Sequence, residues 1–317
     1  MKNKIDIFVE LAERLSEGIP ARIVVGACGE NSWFTEEDIK LAVEAIRKQM
    51  LERQKLEEWM SRYPTLPVSK AEDILIIMAG NIPLVGFFDL LCVVMAGHRA
   101  YVKCSSKDRV LVEYVISLIK DIEPTIPIYI SDCSAPDRVI ATGGDSAVRH
   151  FEATYSGVKR LLRGSRHSVA VVGEGEDINK LTDDIYMYSG LGCRNVSMIF
   201  APKGYALSLP CVNTHPQYRN NYLQNKVLTT MLGVGFVDNG ASLFVRSSEF
   251  PSSLSTISVY EYKDLEEVNA WMSDNNNKIQ CIVSNIIAHP RRVDFGESQR
   301  PSLYDYADAV DTMKFLM

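Results

Sequence analysis

The sequence lacks several features that would assign it to a class directly. No stretch approaches the roughly 20 consecutive apolar residues that a membrane helix needs. The N-terminus carries charged residues on every turn of an amphipathic pattern, so it is not a secretory signal. The net charge of -6 and the pI of about 5.5 leave no basic excess for nucleic acid or an anionic membrane. We therefore expect a cytoplasmic protein without an integral membrane segment and without a nucleic-acid partner.

The cysteine pattern excludes two further classes of protein. Seven cysteines, an odd number, are scattered along 317 residues and do not suggest a disulfide framework. There is no CxxC pair and no HExxH helix, so no structural or catalytic zinc site is predicted. The hydrophobic fraction of 46% and the charged fraction of 23% are those of an ordinary globular protein, and the length allows two domains.

The predicted elements alternate in an order that is typical of an α/β fold. The first seventy residues are mainly helical and polar, and a capping box at Thr35–Asp38 begins a predicted helix over residues 34–63. From residue 72 onward, short apolar runs alternate with helical stretches, which predicts a parallel sheet covered by helices on both faces. Such sheets bind ligands beyond the carboxyl ends of their strands, so polar residues at those ends are candidates for a functional site.

One cysteine lies in a segment that could carry chemistry. Cys193 stands in Ser-Gly-Leu-Gly-Cys-Arg-Asn-Val-Ser, between a glycine-rich turn and a predicted buried strand. A thiolate in this position could attack a carbonyl and hold it as a thioester. A cysteine taken alone is more often a small core residue, so the residue type does not decide between the two interpretations.

Three other segments follow predicted strands. Asn81 ends one strand, where its amide could donate to an oxyanion, although asparagine is also common in turns. The segment Thr142–Asp145 leads from a strand into the start of a helix, an arrangement that suits a pyrophosphate. Lys103 and Lys107 follow another strand and could contact cofactor hydroxyls or phosphate, or could be solvated surface charges.

Taken together and in this order, these segments resemble the aldehyde dehydrogenase superfamily, and most closely its acyl-CoA reductase branch, the LuxC-type fatty-acid reductases. The resemblance covers about residues 72–315. The segments that carry it are Ala79-Gly-Asn-Ile-Pro-Leu-Val-Gly-Phe, Ala96-Gly-His-Arg-Ala-Tyr-Val-Lys-Cys-Ser-Ser-Lys-Asp, Ala141-Thr-Gly-Gly-Asp, Tyr188-Ser-Gly-Leu-Gly-Cys-Arg-Asn-Val-Ser and Phe295-Gly-Glu-Ser-Gln-Arg-Pro.

The resemblance implies an aldehyde dehydrogenase-like α/β fold, in which a Rossmann-like cofactor domain and an α/β catalytic domain enclose the active site. We expect an N-terminal helical region at 1–70 and a nicotinamide cofactor-binding domain at 71–172. A catalytic domain with the nucleophilic cysteine would follow at 173–285, and a C-terminal segment at 286–317.

The resemblance also implies a role for each candidate residue. Cys193 would be the catalytic nucleophile, and Asn81 would bind the oxyanion together with the backbone N–H of Cys193. Glu249 would contact the nicotinamide ribose, although this position matches only loosely. The remaining cofactor contacts would come from Lys103, Ser105, Ser106, Thr142, Gly143, Gly144 and Asp145. No metal ligand is implied.

Two departures from the superfamily pattern refine this prediction. Relatives that prefer NAD carry an acidic residue three positions after the lysine, whereas Ser106 stands here beside Lys107. A serine and a lysine would accept a 2′-phosphate, which favours NADPH and leaves NADH possible. Aldehyde-oxidising relatives also carry a water-activating glutamate about thirty residues before the cysteine, and Arg163 is nearest to that position here. Without this base, water would not be activated, and an acyl-enzyme would persist until it reacts with hydride or with another thiol.

The predicted reaction is therefore the NAD(P)H-dependent reduction of an acyl-CoA, in particular a fatty acyl-CoA, to an aldehyde through an S-acyl-cysteine at Cys193. A CoA-acylating aldehyde dehydrogenase that acts oxidatively, a cofactor-free acyl transferase or thioesterase, and a non-catalytic subunit remain alternatives. The acyl group could arrive on CoA or on an acyl carrier. The resemblance also allows acyl-activating or acyl-transferring partner proteins, and we expect a homo-oligomer.

Overall fold

The computed structural model describes residues 2–317, which form two compact units. The first unit contains the chain up to Ser165 together with Arg300–Met317, and the second contains Arg166–Gln299. The predicted boundary at residue 172 thus falls after a strand that belongs to the second unit, and the predicted segment 286–317 is shared by both units. No helix within residues 2–317 combines the length and the apolar character needed to cross a bilayer.

Four helices open the first unit, and their apolar faces pack into the same core as its sheet. They are α1 (Lys4–Ser16), α2 (Ala21–Glu30), α3 (Glu36–Met50) and α4 (Arg53–Ser61). The predicted capping box is confirmed, because the Thr35 hydroxyl accepts from Asp38 N and the Asp38 carboxylate accepts from Thr35 N. The single helix predicted over residues 34–63 is interrupted between α3 and α4.

The sheet of the first unit has five strands, all parallel. Its strands are β1 (Asp73–Ile77), β2 (Arg99–Lys103), β3 (Ile128–Tyr129), β4 (Arg138–Thr142) and β5 (Lys159–Arg163). Its helices are α5 (Phe87–Ala96), α6 (Arg109–Ile122) and α7 (Asp145–Thr154). The order across the sheet is β3-β2-β1-β4-β5, so the direction of winding reverses between β1 and β4. Open α/β sheets bind ligands beyond the carboxyl ends of the strands at such a reversal.

The second unit is built on a seven-stranded sheet in the order β12-β11-β6-β7-β10-β9-β8. Its strands are β6 (His167–Val171), β7 (Val196–Pro202), β8 (Phe236–Asp238), β9 (Leu243–Arg246), β10 (Thr256–Tyr262), β11 (Ile279–Val283) and β12 (Arg292–Val293). Its helices are α8 (Leu181–Tyr186), α9 (Pro216–Met231) and α10 (Leu265–Asp274). Neighbouring strands are parallel except β8 and β9. The α/β class predicted from the sequence is confirmed.

The chain returns to the first unit after residue 299 and forms α11 (Thr312–Leu316) there, against α5. The Leu316 carbonyl oxygen lies 2.7 Å from Nε2 of the buried His98. Nη2 of Arg163 donates to Thr312 Oγ1 at 2.8 Å. Residues that follow the second unit in sequence therefore complete the core of the first.

Candidate active site

The structure brings most of the predicted cofactor-binding residues to one edge of the first sheet. Lys103 is the last residue of β2, Ser105 and Ser106 follow it, and Thr142 is the last residue of β4. Because these strands are parallel, their carboxyl ends lie at the same edge. Asn81 follows β1, so Asn81 and Thr142 flank the reversal point between β1 and β4.

The turn after β4 leaves room for a ligand at the start of α7. Gly144 is the N-cap of that helix, and a Cβ added there would meet no atom within 4 Å. A Cβ on Gly143 would lie 2.9 Å from the Ala147 Cβ, so this position requires glycine. First-turn N–H groups and an open approach suit a phosphate group. Asp145 Oδ1 accepts from Ser165 N at 2.9 Å, which ties the turn to the loop after β5.

Lys103 has a partner that the sequence did not indicate. Its Nζ lies 2.6 Å from Oδ2 of Asp132, which follows β3. The hydrogen bond between the two groups raises the pKa of Lys103 and lowers the pKa of Asp132. A carboxylate therefore lies at the edge where the adenosine ribose is predicted to bind. Asp132 was missed because β3 is only two residues long and the loop that follows it has no recognisable pattern.

Cys193 is exposed in the loop between the 3-10 turn Met187–Gly190 and β7. Three consecutive residues before this loop have left-handed backbones: φ is 52° at Tyr188, 56° at Ser189 and 66° at Gly190. Residues other than glycine pay about 1–2 kcal/mol for this conformation. Such strain persists only where surrounding contacts determine the backbone, and it is concentrated at functional sites.

The contacts that determine this backbone come from Asn195. Its buried amide nitrogen lies 3.2, 3.2 and 2.9 Å from the carbonyl oxygens of Asp184, Ile185 and Met187. Its Oδ1 accepts from Gly192 N at 2.8 Å. One side chain thus joins the end of α8 to the residue before Cys193. The sequence placed Asn195 in the motif around Cys193 but did not indicate this role.

Ser168 and Asp184 connect the Cys193 loop and α8 to other parts of the second unit. Ser168 Oγ in β6 donates to the Cys193 carbonyl at 2.8 Å. The fully buried carboxylate of Asp184 accepts from Gly296 N at 2.7 Å and Ser298 N at 2.9 Å, and burial raises its pKa. These bonds bring the segment at 295–299, part of the C-terminal motif, beside the Cys193 loop.

Glu249 is exposed in the loop that follows β9, and its backbone N–H donates to Ser247 Oγ at 3.0 Å. The next residue, Phe250, stacks on His167 with 4.3 Å between ring centroids. His167 is the first residue of β6 and precedes Ser168, which binds the Cys193 carbonyl. The Glu249 loop therefore folds back toward the edge of the sheet that carries the cysteine.

Arg163, the residue nearest to the water-activating position, is buried in β5. Its Nη1 lies 2.6 Å from a carboxylate oxygen of Asp89 in α5. A guanidinium cannot act as a general base, and this one is held by an ion pair inside the first unit. Within residues 2–317, no three His, Cys, Asp or Glu side chains gather as a metal site would require.

Comparison with known proteins identifies relatives of this chain. The sequence profile of the LuxC family, described as acyl-CoA reductase, matches residues 32–210. This range contains all the candidate residues except Glu249. No curated protein sequence gives a significant match.

Solved structures of aldehyde dehydrogenases share the fold. The NAD+ complex of aldehyde dehydrogenase from Bacillus cereus is 15% identical, with a TM-score of 0.60, and covers 89% of this chain and 71% of its own. An acetylating aldehyde dehydrogenase from Geobacillus thermoglucosidasius is 14% identical, with a TM-score of 0.61. The match covers 95% of this chain and 85% of that enzyme's chain. The Mycobacterium tuberculosis aldehyde dehydrogenase complexed with NAD+ is 12% identical, with a TM-score of 0.63. The match covers 89% of this chain and 72% of that enzyme's chain. The chain therefore has the aldehyde dehydrogenase fold.

Proposed function

Because the chain belongs to the LuxC family of acyl-CoA reductases, we propose that it reduces a fatty acyl-CoA to an aldehyde through an S-acyl intermediate at Cys193. The observation that carries this proposal is the exposed Cys193 in a strained loop, which Asn195 and Ser168 fix on both sides. A nucleophile must be both accessible and held in place to attack a bound thioester.

The first half of the reaction needs only side chains and backbone of this chain. The thiolate of Cys193 attacks the carbonyl carbon of the acyl-CoA, and the carbonyl oxygen becomes an oxyanion. The backbone N–H of Cys193 and the amide of Asn81 donate to this oxyanion. When the tetrahedral intermediate collapses, the C–S bond to CoA breaks, the CoA thiolate leaves and the acyl group remains on Cys193.

The residues at the carboxyl edge of the first sheet fit a dinucleotide. The open start of α7 at Gly144 suits a pyrophosphate, and the position of Lys103 and Ser106 at the carboxyl end of β2 supports contacts with the adenosine ribose. A nicotinamide cofactor held by these residues would supply hydride for the thioester carbon. Collapse of the thiohemiacetal oxyanion left on Cys193 would then break the C–S bond, release the aldehyde and restore the thiolate. Ser106 and Lys107 favour NADPH as the cofactor.

The absence of a base at position 163 supports reduction over hydrolysis. Hydrolysis of the S-acyl enzyme requires a group that removes a proton from water. Arg163 cannot do this, and its ion pair with Asp89 holds it within the first unit. The S-acyl enzyme is therefore consumed by hydride, or by a thiol in the reverse of the acylation step.

The test measures consumption of NADPH and formation of aldehyde with acyl-CoAs of increasing chain length. We expect one aldehyde per acyl-CoA for the wild-type chain and none for Cys193→Ala. Cys211→Ala is the matched control, because Cys211 is another exposed cysteine of the second unit, and it should keep the activity. An acyl adduct at Cys193 without cofactor consumption would support the transferase alternative. Full activity of Cys193→Ala would refute the proposal.

A further inference from the structure

The loop that carries Asn81, residues 78–86 between β1 and α5, is held by two buried side chains from distant parts of the sequence. The first is Asn31, which directly follows α2 and is 5% exposed. Its Nδ2 donates to the Gly80 carbonyl at 2.9 Å, while its Oδ1 accepts from Trp33 N at 3.1 Å. The Asn31 amide therefore uses both of its ends in fixed contacts.

The second side chain is Asp108, the N-cap residue of α6, which is 1% exposed. Its Oδ2 accepts from Leu84 N at 2.7 Å. Leu84 has a φ of 56°, a conformation that leucine adopts at a cost of about 1–2 kcal/mol. The bond from Asp108 and the burial of the Leu84 side chain together offset this cost.

Close packing against the segment after β2 also restricts the conformation of the loop. A Cβ added to Gly80 would lie 2.6 Å from Ser105 Oγ and 2.8 Å from Ser105 Cβ, so the loop lies directly against the segment after β2. Asn31 binds the residue before Asn81, and Asp108 binds a residue three positions after it. The backbone of Asn81 is thus fixed on both sides.

Burial makes the Asp108 contact costly to maintain. A buried carboxylate is unfavourable unless it is paired, and burial, with a contribution from Glu30, raises the pKa of Asp108 to about 8. Asp108 Oδ1 has no hydrogen-bond partner among the described residues. An apolar residue would fill the same volume without this penalty. The polar side chain is explained by the conformation that it imposes on the loop.

We propose that Asn31 and Asp108 are positioning residues that hold Asn81 in the orientation needed to bind the oxyanion. This inference rests on the proposed function, because it assigns the two residues to the oxyanion step at Cys193. It also gives the N-terminal helices a task, since Asn31 connects the end of α2 to the catalytic loop. An oxyanion donor is effective only when its position is set before the charge develops.

The test uses the rate at which an acyl group appears on Cys193, measured by rapid quenching and mass spectrometry with one acyl-CoA. Asn31→Asp preserves the shape of the side chain and the acceptor for Trp33 N, but it replaces the donor to Gly80 by a carboxylate oxygen. We expect it to slow acylation roughly 10- to 100-fold, because small displacements of a positioned group have effects of this size. Asn221→Asp, which also removes an amide bond to a backbone carbonyl, is the matched control and should keep the wild-type rate.

A double variant separates positioning from general loss of structure. If Asn31 acts through Asn81, then Asn31→Asp should have little further effect once Asn81→Ala is present. An equal loss in both backgrounds, or a wild-type rate for Asn31→Asp, would overturn the role of Asn31. Absence of any adduct on the wild-type chain would instead refute the proposed function, so the two failures are distinguishable.

Asp108 is tested by a pair of variants. Asp108→Asn keeps an oxygen that can accept from Leu84 N, and it should retain most of the acylation rate. Asp108→Leu removes the acceptor and should slow acylation at least tenfold, with the loss again reduced in the Asn81→Ala background. Equal rates for the asparagine and leucine variants, measured on folded protein, would overturn the role of Asp108.

Discussion

Asp89 and Arg163 form a buried ion pair in the first unit, where Arg163 Nη1 lies 2.7 and 2.6 Å from the two carboxylate oxygens of Asp89. Both residues are almost fully buried. Arg163 also donates to Thr312 Oγ1, so the pair connects α5, β5 and α11. Arg163, the residue nearest to the predicted water-activating position, therefore has a structural role.

Replacement of Arg163 by methionine should destabilise the protein strongly, because it leaves the Asp89 carboxylate buried without a counter-charge. The expected loss is about 3–5 kcal/mol in the free energy of unfolding. The double variant Asp89→Leu/Arg163→Met should recover most of this loss. Urea unfolding of the three proteins checks the prediction, and equal stability of the single and double variants would contradict it.

The stability of the protein should depend on the ionisation of Asp108. Its pKa is about 8 in the folded protein, against an ordinary value of 3.8. The folded state thus holds this proton more tightly, so the contribution of Asp108 to stability is full below pH 4 and is lost as the pH rises toward 8.

Asp108→Asn does not titrate, so its stability relative to the wild-type protein should increase between pH 5 and pH 8, by at most about 1.4 kcal/mol per pH unit. Denaturant unfolding at several pH values measures this difference. Asp121→Asn, at an exposed position of the same helix, serves as the control and should show no such trend. A constant difference for Asp108→Asn across the range would contradict the assignment.

Removal of the Asp132 carboxylate should shift cofactor selectivity toward NADPH. Lys103 would then be available to a 2′-phosphate, and the repulsion between two negative groups would be absent. A gain of roughly tenfold in the ratio of kcat/KM for NADPH to that for NADH is expected for Asp132→Asn. Asp137→Asn is the control, because Asp137 precedes β4 at the opposite edge of the sheet. An unchanged ratio would place the adenosine ribose away from Lys103.

Loss of the Asn195 amide should affect both stability and chemistry. Asn195→Ala removes the donor to three carbonyl groups and the acceptor for Gly192 N, which should cost about 2–4 kcal/mol in the free energy of unfolding. Acylation of Cys193 should also be slowed in the protein that remains folded. Asn225→Ala, which removes hydrogen bonds to Leu254 and Ser255 in the same unit, should reduce stability only. Similar acylation rates in the two variants would argue against a positioning role for Asn195.

Much of the fold could be predicted because local patterns agree with it. The capping box at Thr35 and the apolar strand β1 are determined by neighbouring residues, and the structure confirms both. β5 was not predicted, because its sequence Lys-Arg-Leu-Leu-Arg carries charges at three of five positions and lies at the edge of the sheet. Edge strands tolerate such charges, so the periodicity that marks a buried strand is weak there.

The candidate site was predictable only in part, for a similar reason. Cys193, Asn81 and the turn after β4 lie in short motifs that can be recognised in the sequence. Asn31, Asp108 and Asp132 act on residues that are 24 to 49 positions away along the chain. Only the folded chain brings such residues together, and no local pattern distinguishes them from ordinary caps and surface charges.

The return of α11 to the first unit has a consequence for the order of events during synthesis. Residues 166–299 must all be made before the residues that cover α5 and bind Arg163 exist. At about 5–20 residues per second, this interval lasts roughly 7–27 s. During that time the nascent first unit exposes the apolar surface of α5 that α11 later covers, and such transiently exposed surfaces are prone to aggregation.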